Sequence, residues 1–321
     1  MSFEWVSYKL SDLATFKYGK FLAKANLESK GFDVYSGYGV VGYLPDYQFE
    51  RPQIIMVCRG EGGTGDVKMS PPKCSITNLS IIISENQELI SKDFLYWALK
   101  ASNTRKLRTG SAQAQIVIGT LENLIVSIPT CKYAQKEIAS ILSSLDNRIS
   151  LLRETNTTLE AIAQTLFKSW FVDFDPVKVK AQGKQPEGMD EATAALFPSE
   201  FEESALGLIP KGWRVGTLGD VARLHKGSIN PLHHQNTVFE HYSLPSFDNG
   251  QSPVMEAGIE IKSNKTSVPK NAVLLSKLNP HIPRVWLPSK IGDNAVCSTE
   301  FLVFVPADGA SKEFIYCIFI A

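Results

Sequence analysis

Between Gln135 and Phe171 the chain repeats core-compatible residues at alternating steps of four and three. They are Ile138, Leu142, Leu145, Ile149, Leu152, Asn156, Leu159, Ala163, Leu166 and Trp170. This is the spacing of coiled-coil a and d positions, and no Gly or Pro interrupts it. The pattern predicts one helix roughly 50 Å long, more than a small domain needs. Taken alone it also fits a long core helix. Asn156 at an a-type position would pin the register of a helix pair at some cost in stability.

At 321 residues the chain has room for about two domains. Lys and Arg total 33 against 33 Asp and Glu, so a polyanion must be met by local patches and not by a global field. Cys58, Cys74, Cys131, Cys297 and Cys317 are scattered, odd in number and without a C-x-x-C pair. That argues against a disulfide scaffold or zinc ribbon and suits a reducing compartment. The start, MSFEWVSYKL, has no apolar h-region, and nowhere do eighteen apolar residues run together. The expectation is a soluble, cytoplasmic protein.

The helix is flanked by two copies of one frame. Trp5, Leu10, Asp12, Ala14 and Gly19 recur as Trp213, Leu218, Asp220, Ala222 and Gly227, all at an offset of 208. Downstream, Ser91-Lys-Asp-Phe-Leu-Tyr96 recurs as Ser311-Lys-Glu-Phe-Ile-Tyr316. Both read as helix starts, with Ser at the N-cap and an acid in the first turn. Strand-like runs precede them, Leu79 to Ile83 and Phe301 to Val305, and a second strand pair is Ile54 to Cys58 and Ala272 to Ser276. Between these matches the copies diverge. Tyr35 to Lys73 is rich in Gly, Tyr and charge, and His233 to Pro288 in His, Asn, Pro and Lys. A shared frame with dissimilar loops suggests related modules that recognise different things.

The expected fold class is therefore α+β, with two repeated mixed α/β domains separated by a long coiled-coil-type helix. The boundaries are residues 1–130 for the first domain, 131–175 for the helix, 176–212 for a Pro-rich linker with one short helix near Glu191 to Phe197, and 213–321 for the second domain. Ala321 aligns with Ala101, and nothing in the second copy corresponds to Ser102 to Phe171. The second domain is expected to be incomplete, as in a sequence truncated at its C-terminus and lacking a second long helix.

This layout resembles the specificity subunit of Type I restriction–modification systems. The resemblance rests on Trp5 with Leu10, Asp12, Leu13, Ala14 and Gly19, and on the echo Ile209-Pro-Lys-Gly-Trp213 with Leu218-Gly-Asp220-Val-Ala222. It rests further on Thr109-Gly-Ser-Ala-Gln113, on Ile128-Pro129 leading into Gln135-Lys-Glu-Ile138, and most specifically on Leu166-Phe-Lys-Ser-Trp-Phe-Val-Asp-Phe-Asp-Pro176. The resemblance implies that each domain reads one half of a bipartite double-stranded DNA target. It implies that the helices set the gap and dock two methylation subunits, and that motor–nuclease (restriction) subunits join for cleavage. S-adenosylmethionine and ATP with Mg belong to those partners, and none is expected on this protein, which by itself catalyses nothing.

Other chemistry reads weakly. Gly60-Glu-Gly62-Gly-Thr-Gly65 fits G-x-G-x-x-G, but a dinucleotide site needs a helix to start there, and the turn-like Asp66-Val-Lys-Met-Ser-Pro71-Pro72 follows. Ser70-Pro71-Pro72-Lys73 has Lys where an adenine methyltransferase needs an aromatic to stack on a flipped base. Asp173 and Asp175 sit beside Pro176 and read as a helix end, not an acid–base pair. His225, His233, His234, His241 and His281 lack metal-ligand spacing. No catalytic or metal residue is assigned.

For DNA the candidates are basic and amide side chains in loops, which neutralise phosphates or pair with base edges. In the first copy they are Arg59, Lys68, Lys73, Arg105, Lys106, Arg108, Gln113 and Gln115, with Tyr38 and Tyr43 as neighbours. In the second they are Lys226, His233, His234, Lys277, Asn279 and Arg284. A coiled-coil adaptor and a DNA adenine methyltransferase with a fused recognition domain are the rival readings. With no second helix to cover it, the seam is expected to allow self-pairing of two copies.

Overall fold

The computed structural model describes residues 4–60, 62–110 and 114–321. The chain divides into two units, residues 1–153 and 154–321, and one helix runs through the boundary.

The first unit begins with β1 (Trp5–Lys9), α1 (Leu10–Leu13) and β2 (Ala14–Tyr18), followed by β3 (Phe32–Tyr35), β4 (Val40–Leu44), β5 (Ile54–Val57), β6 (Val67–Met69), β7 (Ser75–Ile76) and β8 (Ser80–Glu85). Then come α2 (Lys92–Ala101), α3 (Ile118–Glu122), β9 (Ile125–Pro129) and α4 (Lys132–Phe167). An antiparallel sheet has the order β2-β8-β5-β6, a second sheet the order β4-β3-β7, and β1 pairs with β9. All four residues of β5 are buried, as are the first four of β8. Their unbroken apolar runs fit strands covered on both faces. Ile54, Met56, Ile81 and Ile83 join the main core with Phe94, Leu95 and Leu99 of α2, while Ile55 and Ile82 pack on Cys74 and Ile76 on the other side. Burial of each such group stabilises the fold by about 1.5–3 kcal/mol. Leu121, Val126 and Ile128 close this core against Leu10 and Leu13.

The long helix is where the heptads place it, from Lys132, and its final turn, Lys168–Val172, is π-helical. Its start is fixed by Gln135, which is fully buried. The Gln135 Nε2 donates to the carbonyls of Leu89 (3.0 Å) and Pro129 (2.9 Å), and its Oε1 accepts the Ser91 N–H (2.9 Å). Ser91 was expected to cap α2 with its hydroxyl. Instead its Oγ is buried without a partner among the described residues, and it is the backbone N–H of Ser91 that is engaged, by Gln135. Trp97 Nε1 donates to Ser143 Oγ at 2.9 Å and Lys100 pairs with Asp146 at 3.3 Å, so the helix lies along α2 for its first turns. Beyond these, Leu145, Ile149, Leu152, Leu159 and Leu166 of the predicted seam are exposed, at 45–57%.

In the second unit the helix ends at Phe174, whose φ of 56° breaks it, with Lys168 pairing Asp173 and Ser169 Oγ donating to Asp175 at 2.8 Å. Phe167, Trp170 and Phe171 meet Phe197, Trp213 and Phe314, with ring centroids 5.6–6.3 Å apart. The stretch 176–212, expected as a linker, is folded. It holds α5 (Asp175–Ala181), α6 (Glu191–Ala195) and the hairpin β10 (Phe201–Ser204) and β11 (Gly207–Pro210). Val177, Ala194 and Phe197 are buried there, and the Lys180 ammonium donates to the carbonyls of Ala194 and Phe197.

The rest comprises α7 (Leu218–Val221), β12 (Ala222–His225), β13 (Ser228–Ile229), β14 (Val238–Tyr242), α8 (Leu244–Asp248), β15 (Val254–Ala257), β16 (Lys265–Ser267), β17 (Val273–Ser276), β18 (Val285–Trp286), β19 (Ala295–Cys297), β20 (Phe301–Pro306) and α9 (Lys312–Ile320). The sheet order β12-β20-β17-β18 repeats that of β2-β8-β5-β6, which is the frame the sequence repeat foretells. The second sheet, β13-β16-β19-β14-β15, has two more strands than its counterpart, in the region where the sequences diverge.

Candidate nucleic-acid interface

In the first unit, three loops separated in sequence meet at one end of the main sheet. They follow β3, β5 and α2. Tyr38, in the first, donates its hydroxyl to the Arg59 carbonyl at 3.1 Å. Its ring packs so closely on the second loop that a Cβ at Gly60 or Gly63 would lie 2.5 or 2.6 Å from it. A side chain at either position would have to displace Tyr38. Gly60, Gly62 and Gly65 also have φ of 83–115°, which side-chain-bearing residues avoid. Thr64 is buried and donates its hydroxyl to Gly60 O at 2.7 Å, closing the turn. The G-x-G-x-x-G match is thus a turn leading into a strand, and no helix N-terminus follows to face a phosphate.

The third loop locks onto the second. Arg105 grips Asp66 through Nε and Nη2 (3.1 and 2.8 Å), Thr104 Oγ1 donates to Gly65 O (2.6 Å), and Arg108 Nε donates to Thr64 O (2.7 Å). Gln115 pairs in antiparallel bridges with both Arg59 and Thr109. Arg59, Lys106 and Gln115 are exposed, and none of the three makes a side-chain hydrogen bond or ion pair among the described residues. The structure therefore gathers Arg59, Arg105, Lys106, Arg108 and Gln115 into one surface region. Arg105 and Arg108 are partly committed to protein partners.

A cleft of about 560 Å³ adjoins this region, lined by Gly65 to Met69, Tyr96, Lys100 and Ser102 to Arg105. Lys68 lies in it. So do Tyr96, Lys100 and Asn103, none of which was among the DNA candidates read from the sequence. Burial would depress the Lys100 ammonium, but hydrogen bonds to Tyr96 Oη and Asp146 hold its pKa above the usual lysine value. Lys100 also sits 4.6 Å above the Trp97 ring. The repeated motif Ser91 to Tyr96 stops short of this lysine, which lies in the last turn of α2. Lys73 stands apart, at a turn with φ 48° tied to the Glu50 carbonyl. Gln113 lies outside the described residues.

In the second unit the candidates do not gather in this way. Lys226, His233 and His234 are exposed around β13 and a 3-10 turn, where Asn230 lies 3.5 Å from His233 Nε2. Lys277 and Asn279 are exposed in the loop between β17 and β18, with Asn279 in the left-handed region. Arg284, at the base of that loop, forms a two-pronged pair with Asp248 (2.7 and 2.9 Å). Hydrogen bonding to Arg284 holds the Asp248 carboxyl below its usual range. Such a fork is satisfied by protein and positions the loop.

The surface so described offers guanidinium, ammonium and amide groups, which suit phosphates and base edges. Among the described residues no group of His, Cys, Asp and Glu has the arrangement of a metal site, and no helix is long and apolar enough to cross a membrane.

Comparison with known proteins agrees with this chemistry. Residues 3–161 match the family model for the Type I restriction modification DNA specificity domain. The chain is 31% identical over 188 residues to the Type I restriction enzyme HindI specificity subunit of Haemophilus influenzae, covering 45% of this chain and 41% of that protein. It is 29% identical over 201 residues to the MjaIX specificity subunit of Methanocaldococcus jannaschii, covering 61% and 41% respectively. The match thus spans about two fifths of the length of each relative. In fold, the chain is similar to the crystal structure of a Type I restriction-modification system S subunit from M. genitalium, with a TM-score of 0.58 at 17% identity, over 99% of this chain and 77% of that one. Residues 3–161 thus belong to the family of Type I restriction modification DNA specificity domains, and the chain is similar to Type I specificity subunits.

Proposed function

We propose that this protein supplies DNA sequence specificity to a Type I restriction–modification complex and has no catalytic activity of its own. Each domain reads one half of a bipartite site on double-stranded DNA. The long helix sets the gap and docks two methylation subunits, which bring S-adenosylmethionine. Restriction subunits bring ATP and Mg, and the complex works in the cytoplasm. The observation that carries this reading is the DNA specificity domain matched over residues 3–161. It is supported by the basic and amide groups that three loops bring together in the first unit.

The dissimilar second sheets support different half-sites for the two domains. The exposed seam from Leu145 to Leu166 supports pairing with a second helix, and two copies of this protein joined there would read an interrupted palindrome. Light scattering over a concentration series should show a dimer, and a monomer at every concentration defeats self-pairing.

The test of function is methylation. The protein is mixed with the methylation subunits of its system, S-adenosylmethionine and plasmid DNA, and modified adenines are sequenced. Methylation of a bipartite site is expected when both components are present. Methylation by this protein alone would make it a methyltransferase, and an assembly without DNA binding would make it an adaptor.

A further inference from the structure

Arg59, Gln115 and Thr109 stand side by side. Gln115 is the middle member of two antiparallel bridges, to Arg59 on one side and Thr109 on the other. The second bridge is closed by both hydrogen bonds, Thr109 N–H to Gln115 O at 2.8 Å and Gln115 N–H to Thr109 O at 3.0 Å. The first is held by the Ile116 N–H on Cys58 O at 3.0 Å, with Ile116 and Cys58 buried beneath. Residues directly opposite in a ladder project from the same face. With strands about 4.8 Å apart, the three side chains form an exposed row roughly 10 Å long.

We infer that this row is a base-reading element of the first domain, an inference that rests on the DNA-specificity reading above. Three observations separate it from the other basic residues nearby. Its backbone is braced by Tyr38, which is bonded to the Arg59 carbonyl and abuts Gly60 and Gly63. The Arg59 and Gln115 side chains have no partner among the described residues, whereas Arg105 holds Asp66 and Arg108 holds Thr64. The functional groups are those that discriminate bases in the major groove, Arg forking onto the O6 and N7 of guanine and Gln onto the N6 and N7 of adenine. Thr109 donates its hydroxyl to Gln115 O at 3.2 Å, which leaves its methyl group to meet a thymine methyl. At about 3.4 Å per base pair, a row of this length spans roughly three steps.

The experiment selects bound sequences from double-stranded DNA with a randomised window, using the full-length protein assembled with its methylation subunits. Wild type should yield a bipartite consensus. Arg59→Ala should erase the preference at one guanine, a loss of roughly five- to a hundred-fold in discrimination there, and leave the rest of the consensus intact. Gln115→Ala should erase a neighbouring adenine. Arg59→Lys, which keeps the charge and loses the fork, should retain affinity without restoring the guanine. Both positions are exposed, so unchanged thermal melting verifies folding. An unchanged consensus with uniformly weaker binding and a shallower salt dependence, rescued by Arg59→Lys, would make Arg59 a phosphate contact and overturn the inference. Unchanged consensus and affinity would do so too. No consensus from wild type would overturn the specificity reading itself and this inference with it.

Discussion

The two domains share one frame but are closed differently. In the first, β1 pairs along its whole length with β9, from Trp5 opposite Pro129 to Lys9 opposite Ile125, and Leu10 is fully buried beneath them. In the second, the matching stretch Trp213 to Thr217 pairs with no strand among the described residues. Leu218, the match of Leu10, is 41% exposed, and a groove of about 890 Å³ runs between residues 214–221 and 308–318. The aromatic pair of the frame reverses the contrast. Trp213 and Phe314 are covered by Phe167 and Phe171 from the end of the long helix, while Trp5 beside Phe94 is 52% exposed. Each copy of the frame thus has two faces to be covered, and among the described residues each has a different one filled. A repeated sequence does not by itself fix a repeated environment.

The largest effect that sharpens this contrast comes from truncating the matched leucines. Leu10→Ala opens a cavity in a closed core and should cost about 3–5 kcal/mol. Leu218→Ala removes a side chain already in contact with water and should cost under about 1 kcal/mol. Denaturant unfolding followed by hydrogen exchange, which assigns the loss to a domain, checks both. Equal costs would mean that the second groove is filled in solution.

Next comes the polar anchor found in the first copy. Gln135→Ala would strand the Ser91 N–H and the Leu89 and Pro129 carbonyls in a buried site, for roughly 2–3 kcal/mol. Faster exchange at residues 89–91, without change around Ser311, is the expected signature. If both helix starts loosen together, the anchor is not particular to the first domain.

Gln135 also shows what sequence could reveal. The helix was legible because its period is local, and the frame because Trp, Leu, Asp and Ala recur at fixed offset. The two central strands of each main sheet, β8 with β5 and β20 with β17, were legible as apolar runs. What pairs between distant segments was not. Gln135 reads as one polar residue in a helical stretch, and nothing local says that it will be buried against three backbone groups. Arg59 and Gln115 were both candidates, but their adjacency follows from a bridge between distant loops. The segment 176–212 looked like a linker because it is polar, carries Pro176, Pro186, Pro198 and Pro210, and has separated basic and acidic runs. It folds because Val177, Ala194 and Phe197 are buried and Lys180 ties α5 to the Ala194 and Phe197 carbonyls.

A smaller effect separates the two helix caps. Ser311 Oγ accepts the Phe314 N–H at 3.1 Å, whereas Ser91 Oγ has no partner among the described residues. Ser311→Ala should cost about 1 kcal/mol, and Ser91→Ala should be neutral or slightly stabilising, since it removes a buried unpaired hydroxyl. Melting of the two variants distinguishes them, and a loss on Ser91→Ala would show that its hydroxyl is bonded after all.

The smallest effect is one of pH. Asp220 accepts the Thr217 N–H at 2.6 Å and the Thr217 hydroxyl at 3.0 Å, at the start of α7, where α1 of the first copy has no side-chain cap. These hydrogen bonds favour the ionised form and hold the Asp220 pKa below its usual value. A depressed folded pKa means that folding favours the carboxylate. Its contribution is present above the unfolded pKa and is lost as pH falls through the lower folded one. The expected sequel is loosening of the Thr217 to Val221 turn on acidification, below about pH 4. An NMR titration of the Asp220 carboxyl carbon should give a midpoint below that of a free aspartate, and Asp220→Asn should abolish the acid-dependent change at Thr217. A midpoint at the ordinary value would show that this cap is not held in solution.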